Sequence, residues 1–150
     1  MAGAQHVIDI TVDDAEIRAG LRDLEDKIGN LQPFFRDIGD ALLNSTRERF
    51  NTMRAPDGSP WPSLSPGYAQ RKSKNAELIL TLNGYLRGLL TIQTSKDTLR
   101  IGTPLIYGAT HQFGDPARHI PARPFLGLSE SDTQDILDAL ADWLSRDLPA

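Results

Sequence analysis

Three histidines are the first residues to test for chemistry: His6, His111 and His119. Histidines that share a metal from one helix sit three or four positions apart, so that both rings leave one face. His111 and His119 are eight apart, with Gly114 and Pro116 between them, so they have no local zinc spacing and read as structural histidines. A serine hydrolase of the G-x-S-x-G type needs its nucleophile on a sharp strand-to-helix turn, and no such motif occurs. The glycines at 84, 88, 102 and 108 lack the spacing and the lysine of a phosphate loop. The carboxylates at 13, 14, 16, 23, 25 and 26 lie mainly on one helix and read as its solvated face. Arg71, Lys72 and Lys74, with Tyr68 nearby to stack on a base, could touch nucleic acid; the alternative is solubility and a favourable fit to a helix end. What stands out is the placing of aromatics: Trp61, Tyr68, Tyr107, Phe113 and Phe125 all fall in or beside irregular segments. Arg118, His119 and Arg123 share the loop that ends in Phe125. Aromatics with arginine on loops match the composition of protein interfaces, and equally that of a core lying beneath loops. The candidate interface is therefore Trp61, Tyr68, Phe113, Arg118, His119, Arg123 and Phe125, with no catalytic, cofactor or metal residue assigned.

Regular elements must hold these loops. Ile8, Ile10 and Val12 alternate as a half-buried strand does. Asp13 or Asp14 then caps a helix to about Gly29, with Ile17, Leu21, Leu24 and Ile28 along one face. Pro33 opens a second helix to about Met53, and the short link over residues 29–32 predicts an antiparallel pair. Pro56 and Gly58 suit a type I turn, and Pro60, Pro62 and Pro66 exclude a helix interior or central strand around Trp61. Ser65 and Pro66 cap a short helix to about Ser73, and residues 82–90 form another, weakened by glycine. Residues 91–95 and 98–102 read as a hairpin across Lys96 and Asp97, and residues 105–113 as a small helix ended by Gly114. Ser129 and Asp132 open the final helix, whose stripe is Ile136, Leu137, Leu140, Trp143, Leu144 and Leu148. The expected fold is α+β in a single domain over residues 1–150. A small antiparallel sheet packs with two longer N-terminal helices and a C-terminal helix, and Pro-rich loops extend from it.

Of the 150 residues, 39% are hydrophobic and none is cysteine, so one modest core must form without disulfides or thiolate metal sites. No apolar run approaches a membrane span, and the opening residues lack a secretory pattern, so synthesis in a cytoplasm and no membrane partner are expected. The net charge of −4 is unevenly spread. Residues 1–67 carry 7 basic against 11 acidic side chains, residues 68–124 carry 8 against 3, and residues 125–150 carry 1 against 6. The acidic helices either neutralise the basic middle within the fold, or give the protein unlike faces that suit head-to-tail contact between copies.

At the same loops the chain resembles the phage virion morphogenesis (tail completion) family of Mu-like and P2-like phages. The resemblance rests on Pro56, Asp57 and Gly58 followed by Trp61, Leu64, Ser65 and Tyr68, and on Leu82, Gly84 and Leu86. Its most specific part comprises Ile101, Gly102, Thr103, Tyr107, the run from His111 to Gly114, and the run from Ile120 to Gly127. It covers roughly residues 34–144, and departs where Gly108 stands for the alanine common after the tyrosine. The resemblance implies a non-enzymatic structural protein of the virion, placed at the neck or tail end and assembled in the host cytoplasm. It would finish the tail or join it to the filled head. Implied partners are its own copies in a ring, taken as a hexamer, together with neighbouring neck, tail-tube or connector proteins. No cofactor is implied.

Two other functions remain open: DNA contact in the neck through Arg71, Lys72, Lys74, Arg118 and Arg123, and a tail-borne wall hydrolase with a carboxylate pair in a cleft. Trp61→Ala is expected to damage folding or assembly. Arg123 is expected to face a partner, the alternative being an internal pair with Asp135 or Asp138.

Overall fold

A computed structural model describes residues 14–72, 74, 78–80 and 84–146, so the strand expected over residues 6–12 lies outside the described residues. Helix α1, Ala15–Ile28, starts where Asp14 accepts a hydrogen bond from the Ile17 amide at 2.9 Å. It stops at Gly29, whose φ of 76° lies where L side chains rarely go. Helix α2, Gln32–Thr52, has Pro33 in its first turn and ends in a left-handed Met53. Short helices α3, Pro66–Arg71, and α4, Tyr85–Gly88, follow. The hairpin β1, Thr91–Thr94, with β2, Leu99–Gly102, is antiparallel and pairs Thr91 with Gly102 and Thr94 with Leu99. Helix α5, Tyr107–Phe113, gives way at Gly114 to a 3-10 turn, Pro116–Arg118. Helix α6, Glu130–Ser145, opens with a reciprocal cap: Ser129 accepts from the Asp132 amide, and Asp132 accepts from the Ser129 amide. These elements make the α+β fold expected from the sequence.

The packing of the long helices departs from a simple pair. α1 lies chiefly against α6, not α2. Lys27 of α1 donates to the carbonyls of Leu144 and Arg146, while a Cβ on Gly20 would stand 2.7 Å from Leu140, so α1 and α6 run the same way in close approach. α2 runs against α6: Asp37 accepts from the Trp143 indole at 2.8 Å, while Ser45 and Arg49 reach back to Asp132. α1 and α2 are thus antiparallel, but α6 is the element that packs on both. Their shared stripe, including Leu24, Phe34, Ile38, Leu42, Ile136 and Leu140, forms one apolar cluster. The hairpin lies across α2, with Ile92 against Gly39, and Leu31 donates to the Lys96 carbonyl at 2.9 Å.

A second apolar cluster sits at the far end of α2. It gathers Phe50, Ala55, Trp61, Leu86, Leu90, Phe125 and Leu126, which come mostly from loops and short helices. At 21 residues and ~1.5 Å of rise each, α2 is the ~30 Å strut joining the two clusters.

Candidate functional site

Loops must satisfy their backbone groups without a ladder, and here buried side chains do it for them. Gln112, on α5, accepts from the Phe125 and Leu126 amides at 3.0 Å each and donates to the Leu126 carbonyl at 3.1 Å. Arg49 donates to the Phe125 carbonyl at 2.7 Å and pairs with Asp132 at 2.5 Å, so one guanidinium ties α2 and the loop to the start of α6. Trp61 donates from its indole to the Pro124 carbonyl at 2.7 Å and meets Phe50 edge-on, with ring centres 5.4 Å apart. Arg123 forks onto the carbonyls of Pro62 at 2.8 Å and Ser63 at 2.9 Å, and its own amide donates to the His111 carbonyl at 2.7 Å. Gly114 lets the loop fold back: its φ is 76°, and a Cβ there would stand 2.8 Å from the Ala122 nitrogen.

This frame corrects the interface read from the sequence. Trp61, Arg123 and Phe125 are buried, at 4%, 6% and 0% exposure, and are not the exposed interface residues expected. Arg123 is internal, but it holds loop carbonyls and not Asp135 or Asp138. Tyr68, Phe113, Arg118 and His119 are exposed. Sequence reasoning gave no role to Arg49, and met Gln112 only as a member of a motif. The one available signal was a long polar side chain placed on an otherwise buried helix face.

Over the frame lies a groove of about 830 Å³ between α3, α4, α5 and the 118–123 loop. Tyr68, Tyr85 and Tyr107 line it, with Leu64, Leu86 and Ile120 in its apolar part. Its charged or titratable lining residues are Lys72, His111, Arg118, His119 and Arg123, together with the tyrosines; no carboxylate lines it among the described residues. Burial lowers the His111 pKa from its ordinary value, and the Arg123 and Arg118 charges lower it further. Its Nδ1 is buried with no hydrogen-bond partner among the described residues. Arg118 pairs at 2.6 Å with Asp115, whose carboxyl is held below its usual range chiefly by that bond. No group of three or more metal-ligating side chains occurs among the described residues, and no described helix is long and apolar enough to cross a membrane.

A helical frame at one end, and loops clamped by buried side chains beneath an aromatic-lined groove at the other, define a small α+β protein. The chain belongs to the phage virion morphogenesis family, whose model matches residues 12–145. It is 35% identical over 124 residues to the putative capsid assembly protein G of Escherichia phage Mu, covering 75% of this chain and 79% of that one. It is 29% identical over 143 residues to the Mu-like prophage FluMu G protein 2 of Haemophilus influenzae, covering 91% and 96%. No solved structure gives a significant match. Its role is therefore structural and lies in virion assembly.

Proposed function

We propose that this protein acts at the head–tail junction or tail end of a tailed phage, completing the tail or joining it to the filled head through protein contacts and without catalysis. One observation carries the reading. The strongly exposed large hydrophobics among the described residues are Tyr68, Tyr85, Leu89, Ile106, Tyr107 and Phe113, and all lie at the loop end. Apolar groups gathered on one rigid end are costly to leave in water and suit a surface that is covered in an assembly. Neck, tail-tube or connector proteins are the partners this reading requires, and the neck or tail of the virion is the location.

Electron microscopy of particles made without the protein tests it. Full heads beside separate, finished tails support joining, and tails of abnormal length support a terminator. Normal infectious particles would sink the proposal. The Mu relative's description as a capsid assembly protein favours a second reading, in which the head is the substrate; incomplete heads would be its signature. DNA contact is the weaker alternative, because the Arg123 guanidinium already holds two loop carbonyls.

A further inference from the structure

We propose that the groove between α3, α4, α5 and the 118–123 loop binds an acidic side chain flanked by apolar residues, carried on an extended segment of a neighbouring virion protein. The inference rests on the assembly role above and names the chemistry of the partner. Arg123 is the residue that selects it. Of the five N–H donors of a guanidinium, the pair on one edge, at Nε and Nη2, is taken by the Pro62 and Ser63 carbonyls at 2.8 and 2.9 Å. The other edge, Nη1 with the second hydrogen of Nη2, has no partner among the described residues, and Arg123 lines the groove. Such an edge takes a carboxylate through two parallel hydrogen bonds.

Charge points the same way. Arg123 is 6% exposed, and a buried charge is ordinarily met by an opposite one. Arg49, the other buried arginine among the described residues, follows that rule with Asp132 at 2.5 Å, whereas Arg123 holds only neutral carbonyls. Burial lowers the Arg123 pKa, and what opposes this is the Tyr68 phenol, not a carboxylate. No carboxylate among the described lining residues competes for it. The walls decide what carries the incoming acid. Tyr68, Tyr85, Tyr107, Leu64, Leu86 and Ile120 give a largely apolar cleft, and its volume of about 830 Å³ lies within the ~300–1,000 Å³ of pockets that enclose a ligand. A buried guanidinium in such a cleft is recessed from the phosphates of a convex duplex, while a side chain on an extended segment can reach it.

The test titrates the full chain with 3-phenylpropionate, a carboxylate on an apolar body, and with its neutral amide, following the Arg123 Nε–H and the groove amides by NMR. The carboxylate is expected to shift the Arg123 signal saturably, with a Kd of ~1–10 mM, and the amide to bind at least about tenfold more weakly. Arg123→Lys keeps the charge and loses the second bond, so it should also bind at least about tenfold more weakly under conditions where circular dichroism shows it folded. The wild-type signal keeps the test independent of how that variant folds. No saturable shift by ~50 mM, an equal response to the amide, or shifts confined to another surface would overturn the site. So would saturation of the same signals by inorganic phosphate or a short DNA duplex in preference to the carboxylate. Carboxylate binding, together with normal particles made without the protein, would keep the site and remove the assembly role. Failed binding together with failed assembly in those particles would remove the site and leave the role standing.

Discussion

At the helical end, α1, α2 and α6 satisfy most of their backbone groups internally and need only bury apolar stripes against one another. At the loop end, the chain around Trp61 and from Pro121 to Leu128 forms no ladder, and Arg49, Gln112, Trp61 and Arg123 supply its hydrogen bonds from their side chains. The first arrangement depends on volume and tolerates changes of shape. The second depends on particular donors at particular distances. A surface that must meet other proteins in one geometry is better carried by the second, because each clamp fixes a loop carbonyl or amide that would otherwise be free to move.

The largest expected effect separates the two regimes directly. Arg49→Met keeps bulk but strands a buried Asp132 carboxylate and the Phe125 carbonyl, and should cost ~3–5 kcal/mol in urea unfolding. Leu140→Met, an equally buried swap of similar volume at the helical end, should cost under ~1.5 kcal/mol. Equal losses would mean that both ends are held by packing alone.

The helical end was also the legible one. Asp14, Pro33 and Ser129 mark helix starts, Gly29 marks a stop, and apolar spacing of three and four residues shows which face is buried. Periodicity cannot say which stripe meets which, so the packing of α1 on α6 was not visible. Gly20 hid it further, since a mid-helix glycine reads as a weakness until Leu140 is seen against it. At the loop end, composition alone could not separate aromatics and arginines that face a partner from those that lie beneath a loop. Trp61, Arg123 and Phe125 proved to be the latter. Only the long-range pairing, Arg123 with a loop some sixty residues earlier, decides between them.

Arg123→Ala should come next in size. It leaves the Pro62 and Ser63 carbonyls without their donor in a half-buried setting, at about 1–3 kcal/mol. Arg123→Lys should recover only part of this, because an ammonium cannot reproduce the forked contact. A loss within about 0.5 kcal/mol, the range of ordinary surface sites, would return Arg123 to the interface.

His111 gives a smaller effect that appears only in acid. Its folded pKa lies below the ordinary 6.5, so above that pH the ring is neutral in both states and the fold bears no penalty. As pH falls from 6.5 toward the lowered folded value, the unfolded chain takes up the proton first and stability declines. Stability measured against pH in His111→Gln should lack this part of the acid-side slope, and an unchanged slope would assign it to other groups.

The smallest effect on the fold, and the most telling contrast with the clamps, belongs to Phe113. Its ring is 60% exposed, although Gln112 beside it is buried and holds Phe125 and Leu126. One residue of α5 therefore fastens the frame and the next is offered outward, held in place by the turn at Gly114. Phe113→Ser removes little buried area, and its unfolding free energy should stay within about 0.5 kcal/mol of the wild type. If that ring is covered in the assembled particle, the same variant should lower the yield of infectious particles while the purified protein melts normally. A variant that loses both stability and yield would show Phe113 to be a core residue. Normal stability together with normal yield would place the contact surface elsewhere on the loop end.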